Sequence, residues 1–68
     1  MAVTKVIEVI GTSASGSDDA VREAVASASK SIRGITAVDV ESLTCDVENG
    51  QIVRWHALVK IKFPVEPR

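Results

Sequence analysis

The sequence predicts an α+β fold: one helix lying on a three-stranded antiparallel-type sheet, with chain order β-α-β-β and sheet order 1-3-2. Three observations predict it. An alternating, β-branched segment opens the chain and a single alanine-rich segment with helical spacing follows it. Two further alternating segments are joined by Asn49-Gly50, and Asn-Gly between such runs is the strongest short hairpin signal. The first two strands are joined through the helix, so their crossover is right-handed. Leaving room between them for the third strand gives the order 1-3-2.

The first strand is expected over Val3–Ile10. It is apolar on both faces, with Val3, Ile7 and Val9 on one and Val6 and Ile10 on the other, the pattern of a strand covered on both sides. Gly11–Gly16 reads as a short loop of small residues, with Ser15 or Ser17 as the helix N-cap. Asp18 and Asp19 suit the first turn, where the helix dipole favours negative charge. The helix is expected to run to about Arg33. Val21, Val25, Ala28 and Ile32 form its apolar stripe, flanked by Ala20 and Ala24, and Gly34 suits a left-handed C-cap.

The second strand, Ile35–Val47, changes phase: Val38 and Val40 are even, whereas Leu43, Cys45 and Val47 are odd. A two-residue turn at Asn49-Gly50 pairs Val38 with Ile61, Val40 with Val59 and Asp39 with Lys60. Continued without a bulge, that register puts Val53, Trp55 and Ala57 on one face of the hairpin tip. Leu43, Cys45, Val47, Ile52 and Leu58 fall on the other. The alternative is a bulge near Glu41-Ser42 that twists the arm. In either case the tip is apolar enough to be buried between subunits, with Leu43, Cys45, Val47, Ile52, Trp55 and Leu58 as the expected interface.

The third strand, from Ile52 to Val65, gives the same answer from its length. Its fourteen residues reach about 45 Å when extended. A compact domain of this size has a radius of gyration near 11 Å and a diameter of about 28 Å. Part of the strand therefore projects, and an apolar projecting strand needs other chains to cover it.

Sixty-eight residues make a single domain, 1–68. A chain this short buries only about 60% of its unfolded surface, so disulfides, a structural metal or oligomerisation usually supplement its core. One cysteine and one histidine exclude an internal disulfide and a closed zinc site, which leaves self-association. The net charge of −1 does not suit the phosphate contacts of a nucleic-acid partner. The opening residues lack a signal peptide's apolar run, and no stretch is long enough for a membrane span. A lone cysteine without targeting signals fits the cytoplasm.

His56 is the side chain expected to titrate near neutral pH. In the bulge-free register Cys45 lies diagonal to it across the hairpin, which allows a thiol–imidazole contact. The plainer assignment is that Cys45 packs as a small apolar group and His56 lines a surface between subunits. Trp55 could stack on a planar ligand, but its aliphatic neighbours on the same face point to packing. Asp39, Glu41, Asp46 and Glu48 could converge with copies of themselves around Ca2+ or Mg2+, with Asp39 and Glu41 as the expected ligands. Otherwise they pair with Lys60 and Lys62. Gly11-Thr12-Ser13 before the helix could hold an anion, although it lacks the glycine spacing of a phosphate-binding fingerprint.

The run KVIEVIGTS from Lys5 to Ser13, the single alanine-rich helix and the closing VKIKF from Val59 to Phe63 together resemble the dodecins across nearly the whole chain. The resemblance implies a small cytosolic prokaryotic protein, assembled as a hollow homododecamer. It would bind and store riboflavin or FMN in pockets on two-fold axes, without enzymatic turnover. In that family a tryptophan early in the second strand stacks on the flavin ring, and a glutamine in the third strand binds its polar edge. These positions fall on Ala37 and His56, which makes the chain a divergent member. Trp55 matches a neighbouring aromatic position on the opposite face. Some dodecin relatives without the flavin residues bind divalent cations such as calcium, so a flavin-free, calcium-binding assembly is the alternative expectation.

Overall fold

A computed structural model describes residues 3–65. Strand β1 spans Val3–Ser13, helix α1 Ser17–Ser29, strand β2 Ala37–Glu48 and strand β3 Gln51–Val65. The three strands form one sheet in the order β1-β3-β2, and β3 is antiparallel to both neighbours. The expected fold class is therefore the observed one.

β1 continues three residues beyond Ile10: Gly11, Thr12 and Ser13 pair with Ala57, His56 and Trp55. Gly11 marks close approach of backbones here, the other meaning of a strand glycine. A Cβ on it would overlap the Ala20 carbonyl oxygen and come within 2.9 Å of Ala24 Cβ. The helix can press this close because its buried line is Ala20, Ala24 and Ala28, a four-residue step along one face. These alanines meet Ala57, Val59 and Ile61 of β3, with Ile7, Val9, Val21 and Phe63 packed around them. Val6 and Ile10, on the other face of β1, are exposed; within one protomer β1 is covered on one side only.

The N-cap residue is Gly16, and no side chain caps the helix. Ser13 does the nearby polar work instead: its hydroxyl donates to Asp19 at 2.7 Å and accepts the Ser15 N–H at 2.9 Å. The helix ends at Ser29, short of Arg33. Bonds from the Lys30 and Ser31 N–H groups to the Ser27 and Ala28 carbonyls, each at 3.2 Å, tighten its last turn. The following segment then turns Ile32 and Ile35 against the core. Gly34, at φ +75°, serves this connection and not the helix end.

Asn49 and Gly50, at φ 53° and 75°, make the two-residue hairpin turn with left-handed geometry at both central positions. Near the body the pairs Val38–Ile61, Asp39–Lys60 and Val40–Val59 are those expected. The bulge-free register fails beyond them. A shift between Val40 and Ser42 pairs Leu43 with Ala57, Thr44 with His56 and Cys45 with Trp55, and a second shift restores Val47–Ile52 and Glu48–Gln51. Glu41 and Val53 are the extra residues. The two shifts resolve the phase change, because they bring Val38, Val40, Leu43, Cys45 and Val47 to the face that carries the helix. Val53 correspondingly leaves the alternating series that Trp55 continues to Val65.

The protomer measures 54 × 19 × 12 Å, with a radius of gyration of 14.1 Å, against about 11 Å for a compact chain of this length. The helix lies over β1 and the adjoining part of β3. The β2–β3 hairpin projects past it as an arm.

Candidate functional site

The arm presents the first candidate surface. On the helix-bearing face, Val40, Leu43, Val47 and Ile52 are 54%, 47%, 60% and 50% exposed, beside an exposed Cys45. Trp55 on the same face is partly buried against the core, so it packs and does not form an open stacking platform. Five of the six expected interface residues thus share one face. Leu58 is the exception: it lies on the reverse face, between Ile10 of β1 and Ser42 of β2.

That reverse, helix-free face is the second surface, and its centre is His56. Thr12 and Thr44 flank His56 as its pairing partners. Its Nδ1 lies 3.0 Å from Thr12 Oγ1, and its Nε2 lies 2.9 Å from Asp46 Oδ2. The same Asp46 oxygen accepts a 3.1 Å hydrogen bond from Arg54 Nη1. The hydrogen bond from His56, reinforced by the charges of His56 and Arg54, holds the Asp46 carboxyl below its ordinary value despite some desolvation. From the sequence alone Asp46 is a possible cation ligand and Thr12 part of a possible anion-binding loop. Neither is expected beside His56, since these contacts follow from β1 running past Ile10 and from the shifted β2 register.

Toward the other end of this face, Lys62 Nζ lies 2.8 Å from Asp39 and Lys60 Nζ lies 3.7 Å from Glu41. Both candidate cation ligands are therefore engaged by lysines, and among the described residues no three His, Cys, Asp or Glu side chains gather as a metal site would require. Ala37 sits beside Lys62, on the same face as His56 but about 20 Å along β3 from it. One protomer cannot bring both to a single ligand. Cys45 and His56 do not meet: their partners Trp55 and Thr44 set them on opposite faces, so the thiol–imidazole contact allowed by a bulge-free register does not form. At the helix N-terminus, Ser13 already holds the Asp19 carboxylate, which disfavours an anion there.

A family model described as Dodecin matches residues 3–66. The chain belongs to the dodecin family. Among solved structures it is similar to a dodecin from Streptomyces coelicolor, at 36% identity and TM-score 0.91, covering 98% of this chain and 96% of that one. It is also similar to calcium dodecin from Mycobacterium tuberculosis, a calcium-chelating antigen with a calcium-binding site, at 32% identity and TM-score 0.80, covering 96% and 93%. A dodecin from Streptomyces davaonensis matches at 26% identity and TM-score 0.89, covering 97% of each chain. Comparison with curated proteins finds no match. Among the described residues no helix is long and apolar enough to cross a membrane.

Proposed function

We propose that this dodecin is a non-enzymatic homo-oligomer, a dodecamer as its resemblance implies, that binds and stores a small planar molecule of the flavin type, riboflavin or FMN, in the cytoplasm. The observation that carries this reading is the uncovered apolar face of the arm. Val40, Leu43, Val47 and Ile52 lie side by side in a chain that has too small a core to fold them inward. Copies of the same chain cover such a face without leaving edges open.

The flavin site in this reading forms between protomers on the helix-free face, because Ala37 and His56 lie too far apart within one. Replacing a stacking ring by the Ala37 methyl weakens each stack by roughly 1–3 kcal/mol. Ile10, which is 64% exposed, and Leu58 supply apolar contact next to His56. Binding is therefore expected to be weaker than with a tryptophan on each side of the ligand.

Calcium is the second reading, favoured by the calcium dodecin relative. It requires copies of Asp39 and Glu41 to exchange their lysine partners for a shared ion at a symmetry axis.

Light scattering, with absorbance recorded between about 300 and 500 nm across the eluting peak after riboflavin addition, tests both the assembly and the ligand. A shell-sized particle that carries yellow absorbance is the expected result. A monomer overturns the assembly. A colourless shell overturns flavin and directs the titration to calcium, where bound ion must raise thermal stability.

A further inference from the structure

We propose that Thr12, not His56, is the hydrogen-bonding contact of the ligand site, and that His56 sets the direction of that hydrogen bond. The inference rests on the reading that a planar ligand occupies the helix-free face. Both ring nitrogens of His56 are already engaged, by Thr12 at 3.0 Å and Asp46 at 2.9 Å, so the ring has no donor or acceptor left for a ligand.

The carboxylate fixes the tautomer. Asp46 can only accept, so Nε2 carries the proton and Nδ1 of the neutral ring is an acceptor. Thr12 must then donate its hydroxyl hydrogen to Nδ1. Its oxygen keeps free lone pairs on an exposed residue of the edge strand, so the site offers an acceptor outward. The ligand edge that matches is an N–H donor, such as the imide N–H of an isoalloxazine. When His56 takes up a second ring proton, Nδ1–H donates to Thr12 Oγ1 and the Thr12 hydrogen turns outward. The site then offers a donor, which opposes an N–H edge.

The charged groups of the same face are Glu8 from β1, Asp39, Glu41, Asp46 and Glu48 from β2, and Arg54, Lys60 and Lys62 from β3. Of these, Asp46 touches the ring and Arg54 touches Asp46. Lys60 and Lys62 are paired with Glu41 and Asp39 further along β3. The helix and its charges lie on the opposite face.

The chain has one histidine, so ring-15N labelling gives a single pair of signals from which the tautomer is read without any ligand. The neutral ring is expected to carry its proton on Nε2, with the Nδ1 signal moved by Thr12→Val. Riboflavin titrations by fluorescence quenching, at one pH where the ring-15N signals show a neutral His56 and at one where they show both nitrogens protonated, give the second readout. Loss of one hydrogen bond should weaken riboflavin roughly three- to tenfold, both for the native protein once the ring is doubly protonated and for Thr12→Val with the ring neutral. Thr12→Val and His56→Gln should both remove the pH dependence. A neutral ring protonated on Nδ1, or a Thr12→Val assembly with native affinity and native pH dependence, overturns the inference. An assembly that ignores riboflavin but shows the Nε2–H tautomer and the Thr12-dependent Nδ1 shift overturns the flavin reading and upholds the relay from His56 to Thr12.

Discussion

The body and the arm of this protomer use the same sheet under opposite conditions. In the body, Ala57, Val59 and Ile61 are fully buried beneath Ala20, Ala24 and Ala28, at a helix–sheet distance that Gly11 permits. In the arm, five residues from Ala57 along β3, the helix-bearing face has no helix above it, and Ile52 and its β2 partner Val47 are half or more exposed. Their apolar character is comparable; their cover differs. Apolar surface stabilises a fold only when something removes it from water, at about 25 cal/mol per Å2. The body receives that contribution from its own chain; the arm receives none within one chain, and in the proposed assembly other copies supply it.

The sharpest way to break this contrast is to charge the arm. The double substitution Val47→Asp/Ile52→Asp is expected to abolish the oligomer, measured as mass by light scattering. The helix should survive in the far-ultraviolet circular dichroism if the body folds alone. An intact oligomer would show that this face is not the contact.

Changes in the body should act on stability before they act on mass. Gly11→Ala forces a methyl into the Ala20 carbonyl and Ala24, and overpacking of this kind costs about 1–3 kcal/mol. The expected outcome is a lower melting temperature with native mass. An unchanged melting temperature would mean that the helix moves away freely.

The smallest effect belongs to the helix-free face. Asp46 is held below its ordinary value, chiefly by the hydrogen bond from His56. Its contribution to stability is therefore present above an unfolded aspartate's value of about 3.9 and is lost as pH falls through the lower folded value. Melting curves taken from about pH 5 downward across that value should fall less steeply for Asp46→Asn than for the native protein. Parallel curves would show that the exposed cluster does not contribute.

Much of this contrast is legible in the residues. The length of β3, the Asn49-Gly50 turn, the alanine-rich helix and the Val38–Ile61 and Val40–Val59 pairs follow from local chemistry and from period-two alternation. The end of β1 was hidden because Gly11 carries two meanings, a loop signal and a point of close approach. Local sequence favours the first, and the alanines of α1 decide for the second. The helix end at Ser29 was hidden for a related reason: Ile32 continues the helical spacing, yet reaches the core from the turn that follows.

The sequence by itself determined the class of fold, the sheet order and the projecting apolar arm, because these depend on periodicity, length and composition. Tertiary structure alone decided which faces the arm presents and what His56 touches. A one-residue shift exchanges the two faces of a strand, and the two shifts at Glu41 and Val53 arise from pairing between strands distant in sequence. They place Leu43 and Cys45 beside Trp55, take Cys45 away from His56 and bring Asp46 to one nitrogen of its imidazole, while the run of β1 past Ile10 brings Thr12 to the other.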